Sequence, residues 1–123
     1  MISDGDVTFY HDNGYLVVGD VFSDIEIEAL RSATDRLING SRSTSKHTSL
    51  YDLEDCHELI APRVRRLKSP DHHDKAFAAA VRKPQIIDIL ERLWNTGVRF
   101  DVSKLNLKDA SFGAAVEWHQ DWA

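Results

Sequence analysis

Near the end of the chain, His119-Gln120-Asp121 sets an imidazole and a carboxylate two residues apart. On a β-strand such residues face the same side, with Cα atoms roughly 6.6 Å apart. Side chains leaning together from that face can share one cation at about 2.0–2.2 Å. A pair of this kind, completed by a more distant histidine, forms the 2-His-1-carboxylate site that holds Fe(II) with open coordination positions. The tripeptide alone is a weak signal, because a chain with 6 His and this many Asp residues contains about one H-x-D by chance. A second copy, His72-His73-Asp74, falls in the first turns of a predicted helix. There, i and i+2 side chains diverge by about 200°, which disfavours chelation. Geometry therefore selects His119 and Asp121, with an ordinary polar strand face as the plain alternative. Glu117 would share that face as an alternative ligand, and His119, Asp121 and Glu117 together would suit a zinc-dependent hydrolase.

The elements that must position these residues follow from periodicity. Tyr15-Leu16-Val17-Val18, between Gly14 and Gly19, reads as a short buried strand. Ser23 and Glu26 have the S-x-x-E spacing of a capping box, with Phe22 and Ile27 placed as a hydrophobic staple. Ile25, Ala29, Leu30, Ala33 and Leu37 continue at helical spacing, and Asn39-Gly40 supplies the stop. Residues 41–49 are Ser/Thr-rich and read as a surface loop, and Tyr51 to Ile60 is ambiguous between a turn and a short helix. Arg63, Arg65, Arg66 and Lys68 read as a solvated edge strand. Ser69-Pro70 looks like the N-cap and first residue of a helix through Val81, and Pro84 starts another that ends at Asn95 and Gly97.

After Gly97 the period changes from about 3.6 to 2. Val98, Phe100 and Val102 alternate with polar residues, the phase slips near Lys104, and Asp109 to Gly113 reads as a hairpin turn. A second strand then carries Ala114, Val116 and Trp118 on one face, with Glu117, His119 and Asp121 on the other. Trp94, Trp118 and Trp122 are expected as core or rim aromatics. The expected organisation is α+β and a single incomplete domain over 1–123: a strand and helices over 1–97, then a β-hairpin over 98–123 carrying the H-x-D motif.

Composition removes several classes. With 15 Lys+Arg against 20 Asp+Glu, the net charge is −5, which argues against a nucleic-acid-wrapping protein. Mean hydropathy is −0.37, and no apolar run approaches the roughly 20 residues of a membrane span. The first residues are acidic and lack the pattern of a signal peptide. The single cysteine, Cys56, cannot form an intrachain disulfide and has no motif-spaced partner for a nucleophile role. A cytoplasmic setting is the expectation.

Lys104-Leu105-Asn106-Leu107-Lys108, followed by Val116-Glu117-Trp118-His119-Gln120-Asp121-Trp122, resembles the iron-binding region of the phytanoyl-CoA dioxygenase family. The run Phe9-Tyr10-His11-Asp12-Asn13-Gly14-Tyr15-Leu16-Val17-Val18, leading into a capped helix, is similar to that family's opening. The resemblance implies a double-stranded β-helix (jelly-roll, cupin-like), here as its amino-terminal helices and first strands. It further implies Fe(II), 2-oxoglutarate as cosubstrate, molecular oxygen, and hydroxylation of a small organic or acyl substrate. His119 and Asp121 match the first two iron ligands, and Lys104, Asn106 and Lys108 fall where the cosubstrate is contacted. Arg66 lies where some members carry a basic residue for 2-oxoglutarate. The family's distal His and its 2-oxoglutarate-binding Arg lie downstream, so the chain is expected to be the front part of an enzyme and inactive alone. A non-catalytic module that pairs or dimerises through an open sheet edge is the alternative in another class.

Overall fold

The computed structural model describes residues 2–108 together with 115, 117, 118 and 119. Helix α1 (Asp4–Asn13) starts from a capping box between Ser3 and Asp6 and ends on Gly14 in the left-handed conformation, φ 79°. The sequence reading has no helix here. Its signal was a Ser-x-x-Asp box followed by a stretch without an apolar stripe, which periodicity cannot detect. The expected strand over Tyr15–Val18 is corrected: this stretch belongs to no strand, and Val17 is 83% exposed.

Helix α2 (Asp24–Gly40) begins as its residues dictate. Ser23 Oγ accepts from the Glu26 N–H at 3.3 Å, and Glu26 accepts from the Ser23 N–H at 2.8 Å. Its inward face is rotated from the expected one: Ala33 is buried and Leu37 and Ile38 pack on the core, whereas Ile25 is 82% exposed. Gly40 does not stop the helix through a left-handed turn. Its φ is −60°, and a 3₁₀ turn, Ser41–Ser43, continues directly. Glycine is needed for a different reason, since a Cβ on Gly40 would lie 2.6 Å from the Tyr51 hydroxyl. That hydroxyl donates to the Leu37 carbonyl at 2.8 Å, and burial raises the pKa of the phenol.

Strand β1 (Tyr51–Leu53) occupies the ambiguous acidic stretch, and β2 (Val64–Lys68) the basic run. With β3 (Lys104–Asn106) they form an antiparallel sheet in the order β1-β2-β3. The basic run is therefore the central strand among the described residues, correcting the edge-strand expectation. Its pairing also explains why Val-Arg-Arg-Leu escapes a period-2 reading. Asp52 pairs with Arg66 but Leu53 pairs with Val64, so Arg65 is an extra residue in β2. Such a bulge shifts the alternation by one. Val64 and Leu67 both join Leu50 and Leu53 in the core, packed by Leu37, Ile38, Tyr51, Leu105 and Leu107.

Ser69-Pro70 opens a 3₁₀ turn, Pro70–His72, without a side-chain cap. Ser69 sits at φ 46°, so it cannot serve as an extended N-cap residue. The cap belongs to Asp74, which starts α3 (Lys75–Ala80) by accepting from the Ala76 N–H at 2.8 Å. Asp74 also accepts from Arg36 of α2 at 2.6 Å. Helix α4 (Pro84–Trp94) ends on Asn95 at φ 51°, as expected. It holds α1 through Arg92–Asp4 at 2.6 Å and through Trp94 Nε1, which donates to the Tyr10 hydroxyl at 3.0 Å. Lys83, just before α4, donates to Glu26 and lies over the Phe22 ring.

Of the strand expected to run from Val98 through the phase slip near Lys104, only Lys104–Asn106 forms one; Val98–Val102 does not, and Phe100 and Val102 are exposed. The Asp109–Gly113 turn lies outside the described residues. Of the second hairpin strand, the described residues Ala115, Glu117, Trp118 and His119 are exposed and not in a strand, and the rest lies outside. Among the described residues no helix is long and apolar enough to cross a membrane.

Two expectations for stability follow. Gly40→Ala should destabilise the protein by about 1–3 kcal/mol through overpacking against Tyr51. In a Tyr51→Phe background it should instead stabilise by up to about 1 kcal/mol, since alanine is the better helix residue. Paired urea melts of the four variants read the sign change. Glu26 is held down to about 2 from the usual 4.5, first by Lys83 and then by the Ser23 N–H and hydroxyl. Its contribution is therefore complete above pH 4.5 and is lost as pH falls toward about 2. Glu26→Gln should be less stable than the parent at neutral pH, with the two curves converging across that acid window in pH-dependent melts.

Candidate functional site

The sheet brings the predicted cosubstrate residues together through a latch at the start of β3. The Ser69 N–H donates to the Ser103 carbonyl at 2.9 Å, and the Ser103 hydroxyl donates to the buried Asp71 carboxylate. Beyond β3, the Leu107 N–H donates to the Arg65 carbonyl at 2.9 Å. These bonds set the pairs Lys68–Lys104, Leu67–Leu105 and Arg66–Asn106. Because strand side chains alternate, Leu105 enters the core while Lys104 and Asn106 project from the opposite face beside Lys68 and Arg66.

On that face Arg66 Nε donates to Asn106 Oδ1 at 2.9 Å. Lys68 and Lys104 are direct cross-strand partners, which sets two cationic side chains next to each other on that face. On the far side of Arg66 its partner is Asp52, whose carboxylate lies 3.1 Å from His47 Nδ1. Lys108 is exposed, two residues beyond Asn106. The sequence reading placed Lys104 and Asn106 on one strand, named Lys68 within the basic run and held Arg66 as the candidate of that run. What it could not supply was the pairing of Arg66 and Lys68 with Asn106 and Lys104 across β2 and β3.

His119 is exposed, and its Nδ1 lies 2.7 Å from the Glu117 carbonyl oxygen. A carbonyl can only accept, so Nδ1 carries the hydrogen and the neutral ring has its lone pair on Nε2. This is how a backbone carbonyl orients a metal-ligating imidazole. In this tautomer Nε2 is the nitrogen able to act as a metal ligand. Asp121 lies outside the described residues, as does Trp122. It is the Glu117 carbonyl, not its carboxylate, that engages His119. Among the described residues no group of three His, Cys, Asp or Glu side chains is arranged to hold a metal.

The competing H-x-D copy is committed to structure. Both oxygens of Asp74 are engaged, one by the Ala76 N–H and one by Arg36, and these hydrogen bonds, in that order, lower its pKa. His57 is likewise used on both nitrogens. Its Nδ1 accepts from the Arg63 N–H at 3.0 Å, and its Nε2 lies 2.9 Å from the Thr44 carbonyl, to which it donates. His47 Nδ1 accepts from the Leu53 N–H at 3.1 Å. Trp94 is tied to Tyr10, whereas Trp118 is fully exposed.

Comparison with known proteins bears on the same residues. The chain is 30% identical over 114 residues to a probable alpha-ketoglutarate-dependent hypophosphite dioxygenase of Stutzerimonas stutzeri, covering 93% of this chain and 40% of that protein. It is also 30% identical to the L-proline trans-4-hydroxylase of Streptomyces griseoviridis, covering 93% of this chain and 39% of that enzyme. The chain thus spans about two fifths of the length of these relatives. No solved structure matches it significantly. The sequence pattern of phytanoyl-CoA dioxygenase (PhyH) matches residues 10–123, from α1 through the His119-x-Asp121 run, and on that match the chain belongs to the phytanoyl-CoA dioxygenase family.

Proposed function

We propose that the chain is the amino-terminal part of a non-haem Fe(II)/2-oxoglutarate-dependent dioxygenase that hydroxylates a small organic or acyl substrate. The observation that carries this reading is the sheet face on which Arg66, Lys68, Lys104 and Asn106 converge, upstream of His119 and Asp121. Its donors complement a dicarboxylate, and family membership supplies the chemistry. Both named relatives act on small molecules, hypophosphite and L-proline, which favours a small-molecule substrate here. The sheet β1-β2-β3 is then the beginning of a double-stranded β-helix.

In this reading His119 and Asp121 hold iron together with a histidine from the rest of the protein. The metal, when bound, supplies the oxygen chemistry that couples oxidative decarboxylation of 2-oxoglutarate to hydroxylation. The chain's own residues bind and orient. The Glu117 carbonyl holds the His119 ring with Nε2 as ligand atom. Asp121 contributes a negative charge that favours a divalent cation. Lys104 and Lys108 supply positive charge for the cosubstrate carboxylates, and the Asn106 amide supplies neutral donors. The core behind β3, through Leu105 and Leu67, keeps that strand from shifting under the ligand.

In the full-length protein, Asp121→Ala should abolish binding of Fe(II), or of Mn(II) as its surrogate, and with it succinate formation from 2-oxoglutarate. His72→Ala, distant from the motif in sequence, should leave both unchanged. Titration calorimetry with Mn(II) and a succinate assay measure this pair. Equal losses in the two variants would refute the metal assignment.

A further inference from the structure

We propose that Arg66 is a positioning residue for Asn106, fixing its amide so that Asn106 presents its hydrogen-bond donors on the ligand-facing side of the sheet. The inference rests on the reading that this face receives 2-oxoglutarate and adds a residue that acts through another one.

A guanidinium has five N–H donors and no acceptor. The Asn106 atom 2.9 Å from Arg66 Nε is therefore the oxygen. Because the amide is planar, holding Oδ1 toward β2 turns Nδ2 and its two hydrogens to the other side of the group, on the exposed face shared with Lys104. Without a donor at Arg66 the amide can rotate half a turn. It would then present its oxygen to an incoming carboxylate, an acceptor facing an acceptor.

Two features favour orientation over simple charge attraction. Arg66 is half-buried in the central strand, directly after the extra residue Arg65, so the bulge aims it at its β3 partner. Its cross-strand partner on the other side is an acidic residue, Asp52. Lys68 and Lys104 carry further positive charge on this face. The distinctive contribution of Arg66 is the hydrogen bond that selects one of two amide orientations.

The test is steady-state kinetics of the full-length enzyme with 2-oxoglutarate varied at saturating Fe(II), beside thermal melts of each variant. Arg66→Met, which removes the donor, should raise KM for 2-oxoglutarate by about tenfold, with kcat changed less than about twofold. Arg66→Gln, neutral but still able to donate to Oδ1, should stay within about twofold of wild type. In an Asn106→Leu background, Arg66→Met should add no more than about a further twofold, because no amide remains to be positioned. Equal losses in Arg66→Gln and Arg66→Met, or losses that multiply in the double variant, would overturn the inference in favour of direct contact or net charge. An unchanged KM in Arg66→Met would overturn it while leaving the enzyme reading intact. If Arg66→Met does not fold, Asn106→Asp decides: it keeps the acceptor for Arg66 but replaces the amide donors with oxygen, so KM should rise more than about tenfold, and an unchanged KM overturns the inference. Absence of 2-oxoglutarate-dependent succinate formation in the wild-type enzyme is a different result, and it would bring down the functional reading together with this one.

Discussion

The extra residue in β2 is the constraint on which the rest of the structure depends. Pairing Asp52 with Arg66 but Leu53 with Val64 shifts the side-chain alternation by one. Val64 and Leu67, three residues apart, can then both reach the core under α2, while Arg66 is left on the opposite face. A regular strand would have sent either Val64 or Leu67 outward with the basic residues. The same device thus completes a small apolar core and aims a cation at β3.

The position of β3 depends in turn on a polar latch. Asp71 is buried and accepts from the Ser103 hydroxyl, while the Ser103 carbonyl accepts from the Ser69 N–H. A carboxylate in that environment is tolerated only with partners, so the latch couples the left-handed turn at Ser69 to the strand start at Lys104. Register follows from it, and register decides which of residues 104–107 face the core and which join Arg66 and Lys68 on the opposite face. Core packing by Leu105 and Leu107 holds the same register from behind.

The helices frame this sheet through contacts of different reach. Helix α2 carries most of the load: Leu37 and Ile38 pack on the core, Tyr51 bonds the Leu37 carbonyl, and Arg36 holds the cap of α3. Gly40 exists because the Tyr51 hydroxyl passes where a side chain would stand. Helix α1 is attached to α4 at its two ends, by Asp4 and by Tyr10. Its sequence offers no apolar stripe, which is why it was not legible in advance.

What the sequence determined by itself was chemistry carried by short-range rules. The Ser23–Glu26 box, the Pro84 start and the Asn95 stop are local hydrogen-bond and dihedral preferences, and each formed where its residues placed it. The His119-x-Asp121 run and the Lys104–Lys108 segment were legible as residue types at a spacing, and the family match extends through both. Tertiary structure decided the pairings. Tyr15–Val18 and Val98–Val102 have strand-like patterns yet lie in no strand, because a strand needs a partner that a single segment cannot specify. Ser69 lost its capping role to Asp74, because the latch to Ser103 holds the chain at Ser69 in a left-handed turn. The meeting of Arg66 with Asn106, forty residues apart in the chain, required a bulge and a register. Both are set by which apolar side chains can be buried together, a property of the folded core and not of either segment alone.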